Sequence, residues 1–157
     1  MLITGSNVQA LDVAAVATAA IDAKAAAAGL ATTLTTLRHD AREPLPFGAG
    51  AFDACYAHML LCMTLTTAEI ERLVGEVRRV LRPNGPFVYT VRTTADAHYG
   101  AGIARGDDMY EHGGFIVHFF SRALVDRLAA GSALLDVTDF EEGALPRRLF
   151  RVTMRRA

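Results

Sequence analysis

A chain of 157 residues with 52% hydrophobic and 21% charged content is long enough for one domain with a real core, and is ordinary for a globular α/β protein. A net charge of -1 gives no case for a polyanion-binding or basic membrane-facing surface, and the arginines Arg147, Arg148, Arg151, Arg155 and Arg156 read as a solvated C-terminal edge. Cys55 and Cys62 lie in one apolar stretch, which fits buried free thiols in a reducing, cytoplasmic setting better than a disulfide scaffold; no apolar run approaches a membrane span and no basic leader opens the chain.

The chain begins with two strand-like pieces, MLIT and VQALDV, separated by turn-forming Gly5, Ser6 and Asn7. So short a link makes a hairpin, because a parallel crossover needs a dozen or more residues. Ala14 to Ala28 is an alanine-dominated helix expected to dock tightly, with Gly29 as its C-cap. ATTLTTLRHDA supplies a β-branched strand that ends near Asp40, and Arg42 to Gly50 is a Pro- and Gly-containing loop.

The next stretch, Phe52 to Arg92, organises the rest. FDACYAHMLLCM reads as a strand, TTAEIERLVGEVRRVL as a helix, and PFVYTVR as a second strand. Ile70, Leu73, Val74, Val77 and Leu81 recur at helical spacing and need a sheet to lie on. Thr66 or Thr67 offers an N-cap, Glu69 and Glu71 begin the helix, Arg78, Arg79 and Arg82 crowd its end, and Pro83, Asn84 and Gly85 stop it. The unit is a βαβ crossover with parallel strands. Thr93 to Gly114 is the least regular region, rich in Gly, Asp and Tyr, and is expected to be a mobile lid or binding loop. FIVHFFSRALVDRLAAG gives a strand or turn and a helix capped by Ser121; LLDVTDF and LFRVTMRR form a final strand pair joined by EEGALPRR.

FDACYAHMLLCM, the helix and VLRPNGPFVYTV together resemble the fourth strand, fourth helix and fifth strand of class I S-adenosylmethionine (SAM) dependent methyltransferases, with LRPNG where that family usually has LRPGG. The likeness extends upstream to VQALDV and RHDAREPLPF and covers nearly the whole chain, but lacks the family's N-terminal glycine-rich SAM motif. It implies an α/β Rossmann-like sheet, mostly parallel with an antiparallel C-terminal hairpin and N-terminally truncated. The pattern of Tyr99, Gly102, Tyr110, Gly114 and HFFS is most like the tellurite-resistance-type branch of the methyltransferase type 11/12 group.

An acid at the end of the second strand of such a sheet can accept ribose hydroxyls. By the resemblance Asp12, with Val13, holds the ribose of SAM; Asp40 and Ala41 meet the adenine; Tyr56, Ala57 and His58 follow the methionine part; and His98, Tyr99 and Tyr110 face a small-molecule acceptor. Structural alternatives stand beside these roles. Asp12 also suits a helix cap, Asp40 a surface turn beside Arg38 and Arg42, and His58 a packed, hydrogen-bonded position. His98, His112 and His118 lack the tight spacing of zinc ligands, and no GxSxG occurs. LITGS is similar to the start of short-chain dehydrogenases, but no further phosphate-cradling glycines follow Gly5 and no tyrosine has a lysine four residues on.

Two functional readings follow: SAM-dependent methyl transfer to a small molecule, weakened by the missing glycine loop, or a noncatalytic Rossmann-like interaction module. The resembled family places its first strand centrally, between the second and the fourth, and its absence would leave the edges of VQALDV and FDACYA unpaired; two repairs are expected, MLIT folding back antiparallel on VQALDV or pairing between chains in a homodimer.

Overall fold

The computed structural model describes residues 2–4, 7–143 and 147–157, with the backbone alone for 2–4. Its main sheet has seven strands in the order β3-β2-β1-β4-β5-β10-β9: β1 is Leu2–Thr4, β2 Asn7–Asp12, β3 Leu34–Arg38, β4 Ala54–His58, β5 Pro86–Arg92, β9 Ser132–Glu142 and β10 Arg147–Arg156. Three helices accompany it, α1 (Ala15–Ala27), α2 (Thr67–Val80) and α3 (Arg122–Leu128).

The N-terminal strand takes the central slot. β1 pairs antiparallel with β2 (Leu2 with Gln9, Thr4 with Asn7) and with β4 (Leu2 with Cys55, Ile3 with Ala54). The expected fold-back of this segment is therefore what closes the sheet, and it satisfies backbone edges of β2 and β4 that would otherwise be unpaired. Asn7 belongs to β2 rather than to the turn, while Gly5 and Ser6 lie outside the described residues. One expectation is corrected: the sheet is mixed, not mostly parallel. Only β2–β3 and β4–β5 are parallel, whereas β1–β2, β1–β4, β5–β10 and β9–β10 are antiparallel. A short connection allows β1 no other direction.

α2 forms for the reasons its sequence states. The Thr66 hydroxyl accepts from Glu69 N–H while Glu69 reaches back to Thr66 N–H, a complete capping box. Its buried face, Ile70, Leu73, Val74, Val77 and Val80, lies with Cys55, Ala57, Phe87, Tyr89 and Val91 in one core that α3 completes through Leu124, Val125 and Leu128. The helix stops at Leu81, whose backbone is extended (ψ 142°), and in the turn that follows Asn84 takes a left-handed φ of 65° and Gly85 passes so close to Arg82 O and Asp53 O that a Cβ would sit 2.9 and 3.0 Å from them.

α1 lies on the opposite face, where Asp22 accepts from the Thr36 hydroxyl at 2.9 Å. Its end is a Schellman cap, with Leu30 N–H to Ala25 O, Gly29 N–H to Ala26 O and Gly29 at φ 71°. It does not dock tightly: only Ala25 is buried and Val16 is 78% exposed. An alanine-dominated helix has too little contrast between its faces to enforce close burial.

The expected irregular loop is also corrected. Residues Ile103–Gly106 (β6), Met109–His112 (β7) and Phe115–His118 (β8) form a second, three-stranded antiparallel sheet. Asp107 and Asp108, at φ 54° and 55°, make the turn between its first two strands. The C-terminal pair also extends further than LLDVTDF and LFRVTMRR: Glu142 pairs with Arg147, which leaves 143–146 as the connection.

Candidate functional site

β2, β3, β4 and β5 all run in one direction, so Asp12, Arg38, His58 and Arg92 end on the same edge. Strand order reverses between β1 and β4, and ligands of open α/β sheets bind beyond the carboxyl ends at such a point. A cavity of about 370 Å³ opens there. That is the scale of a small-molecule site.

The cavity gathers Asp12, Val13, Asp40, Ala41, Tyr56 and Ala57 into one wall, together with Leu11, Leu60, Leu61 and Met63, and runs inward to Leu73 and Phe87. Six of the seven residues expected at a cofactor line it; His58 does not. Cys55 and Ala57 face α2 and the core, while Tyr56 and His58 share the other face of β4; Tyr56 still borders the cavity, whereas the His58 Nδ1 lies 2.8 Å from the Thr90 hydroxyl.

Asp12 accepts from Ala14 N–H at 2.7 Å through Oδ1, a turn that leads into α1, while it also lines the cavity. The N-cap of α1 is Ala14, without a side-chain cap bond, so Asp12 shapes the turn before the helix and does not cap it. Asp40 accepts from Arg42 N–H and from the Arg42 guanidinium, and these hydrogen bonds hold its carboxyl down at about 2. Burial pushes the Cys55 thiol in the cavity wall up to about 12, so it is no nucleophile.

His98, Tyr99 and Tyr110 form a cluster of their own, outside the cavity wall. The Tyr99 hydroxyl donates to Asp108 at 2.8 Å, Tyr99 meets Tyr110 edge to face at 5.3 Å, and His98 Nδ1 lies 2.8 Å from Arg92 Nη2. Beneath them is a buried ion pair that sequence reasoning missed. Asp96 accepts from the Arg92 guanidinium, from His98 N–H and from Arg148 N–H, tying the end of β5 to the following turn and to β10. Its only local signal is an Arg and an Asp four residues apart past a strand end. Leu60 and Met63, 40% and 43% exposed at the cavity wall, were also missed because they read as part of a continuous apolar strand. The strand instead ends at His58, where Met59 takes a φ of 55°.

The residues present fit the nucleoside end of SAM: two carboxylates at strand ends can accept hydroxyl and amine protons, and apolar side chains flank the rings' path. β1 and β2 meet at the Asn7 end of β2, the opposite end of that strand from Asp12. Among the described residues no group of three or more His, Cys, Asp or Glu could hold a metal, and no helix is long and apolar enough to cross a membrane.

Comparison with known proteins agrees with this architecture. No curated protein matches the chain. Among solved structures, a SAM-dependent methyltransferase from Methanosarcina mazei superposes with a TM-score of 0.79 at 18% identity, over 96% of this chain and 82% of that one. A second, from Mesorhizobium loti, gives 0.73 at 21% identity, over 97% and 81%. The 1,6-didemethyltoxoflavin-N1-methyltransferase of Burkholderia thailandensis, solved with bound 1,6-didemethyltoxoflavin and S-adenosylhomocysteine, gives 0.70 at 15% identity, over 95% and 60%. The family of methyltransferase domains matches residues 2–85, more than half of the chain. With that match over more than half of its length, the chain belongs to the methyltransferase-domain family, and its strand order and the cavity at the strand ends agree with the fold of the structures it superposes on.

Proposed function

We propose that this protein transfers a methyl group from SAM to a small-molecule acceptor. The carrying observation is the convergence of Asp12, Val13, Asp40, Ala41, Tyr56 and Ala57 on one cavity at the reversal of strand order. Asp12 would hold the ribose and Asp40 with Ala41 the adenine; Tyr56 and Ala57 would border the methionine part. Bound SAM supplies an electrophilic methyl on a sulfonium. The protein's own contribution is to position the acceptor and exclude water, since in-line displacement gains most from geometry. His98, Tyr99 and Tyr110, on the turn and small sheet that follow β5, are the proposed outer wall of the acceptor side. Kinship with the tellurite-resistance-type branch belongs to the same proposal and rests on Tyr99, Gly102, Tyr110, Gly114 and HFFS.

A second reading, a noncatalytic interaction module, draws support from β1. It occupies the central slot antiparallel, with its connection to β2 at the wrong end for a cofactor cradle. Calorimetric titration of the folded protein with SAM separates the two. Micromolar binding is the expected result; a folded protein without detectable heat would favour the module.

A further inference from the structure

The Thr90 hydroxyl is buried, 4% exposed, and accepts from Met59 N–H at 3.1 Å. Its other polar neighbour among the described residues is His58 Nδ1 at 2.8 Å. A buried hydroxyl proton needs an acceptor, so the Thr90 O–H donates to Nδ1, and the neutral ring carries its proton on Nε2. Nε2 faces Glu142 Oε2 at 3.9 Å, beyond hydrogen-bond reach. Both side chains are accessible, 46% and 40% exposed, and both close strands, β4 and β9. One ligand atom can sit within hydrogen-bond distance of the two.

We propose that this position receives the hydroxyl oxygen of the methyl acceptor, with Glu142 as proton acceptor, His58 as an Nε2–H donor and Thr90 as the positioning residue that fixes the tautomer. The inference rests on the methyl-transfer reading above and deepens it by naming the acceptor class. An oxygen has two lone pairs: one accepts from Nε2–H while the other attacks. A neutral amine has a single pair and cannot do both, and an ammonium has none. In the step the hydroxyl oxygen bonds to the methyl carbon, the carbon–sulfur bond breaks with its electron pair left on sulfur, and the hydroxyl proton passes to the Glu142 carboxylate and on to solvent. Only SAM is needed as co-reactant. Tyr56, which lines the cavity, shares a face of β4 with His58 and stacks on it with ring centroids 6.4 Å apart, so the acceptor position would border the cofactor's cavity at Tyr56.

Two measurements test it. Nitrogen-15 spectra of the imidazoles, with the His58 signals assigned by loss in His58→Gln, should show the Nε2–H tautomer in the native protein and a mixture in Thr90→Val. Labelled SAM with benzyl alcohol and phenol, against benzylamine and aniline, should give transfer to the hydroxyls. Glu142→Gln should cut the rate about 100-fold or more with SAM affinity unchanged. An Nδ1–H tautomer in the native protein, amines methylated as fast as hydroxyls, or no transfer to either hydroxyl by protein that binds SAM, each overturns the proposal. A native protein that binds no SAM removes instead the reading beneath it, a result visible in calorimetry alone, so the two failures are told apart.

Discussion

Arg42 closes on Asp40: its Nη2 donates to Oδ2 at 2.6 Å and its Nε to Oδ1 at 3.0 Å, while its own backbone N–H donates to Oδ1 at 3.0 Å. The carboxylate proposed for the adenine amine is therefore already engaged, by a partner two residues away that turns with the same loop. A ligand amine must share or displace the guanidinium.

Two substitutions separate the roles in this pair. Asp40→Ala is expected to weaken SAM roughly tenfold, by removing an acceptor that the amine would use. Arg42→Ala frees the same acceptor, and SAM affinity should hold or rise, by up to about threefold. Calorimetry reads both; a loss in Arg42→Ala as large as in Asp40→Ala would mean that the guanidinium, not the carboxylate, meets the ligand.

Asp96 governs a pH dependence. Burial pushes its carboxyl up, but the Arg92 guanidinium and the N–H groups of His98 and Arg148 outweigh it and hold the group below the ordinary carboxylate range. A lowered folded value contributes stability above the unfolded value, about 3.9, and loses it as pH falls through the folded one. Asp96→Asn should flatten the decline of Tm with acid below about pH 4. Asp96→Ala, which strands the buried Arg92, should cost about 3–5 kcal/mol in denaturant unfolding at neutral pH. Unaltered acid sensitivity in Asp96→Asn would show that other carboxylates set the limit.

These contacts show where sequence reading succeeds and where it stops. The α2 crossover was legible because its burial is periodic, its start carries its own chemistry in Thr66 with Glu69, and the turn through Asn84 and Gly85 leads from beyond its end into β5. The cavity wall was legible through Asp12 at the end of β2, Asp40 just past β3, and Tyr56 and Ala57 in β4. The small sheet was not: β6 is exposed along its length, so no alternation marks it, and its turn uses two aspartates at positive φ in place of glycine. His58 with Glu142, and Asp96 with Arg148, are joined only by the order of strands in the folded sheet, which no local pattern states.

Tyr89 is fully buried in the core and its hydroxyl has no hydrogen-bond partner among the described residues. An unsatisfied buried hydroxyl costs about 1–3 kcal/mol. Tyr89→Phe removes it without changing ring packing against Phe87 and Phe120, and is expected to raise stability by about 1 kcal/mol in urea unfolding. A clear loss of stability would reveal a partner for that hydroxyl.

Both cysteines should be silent to thiol reagents in the native state. Burial pushes Cys55 up to about 12 and Cys62 up to about 11, so neither forms thiolate at neutral pH. Disulfide-exchange titration at pH 8 should find no reactive thiol within minutes and two after denaturation. Rapid labelling of one thiol in the native protein would point to opening of the cavity wall at Cys55, and saturating SAM should then slow it.

The central strand supplies the last test. β1 contributes only three residues, yet it pairs with both β2 and β4 and joins the two halves of the sheet. Without it, the edges of Asn7–Gln9 on one side and Ala54–Cys55 on the other lose their antiparallel partner, and the exposed amides and carbonyls become a template for another chain. Deletion of residues 1–4 is therefore expected to lower Tm and to raise the mass in solution, through edge pairing between copies. Light scattering coupled to size exclusion reads the mass, and thermal unfolding the stability. A deletion variant that remains a monomer with unchanged Tm would mean that β1 closes no essential edge, and that β2 and β4 are held in register by α1, α2 and their outer neighbours β3 and β5 alone.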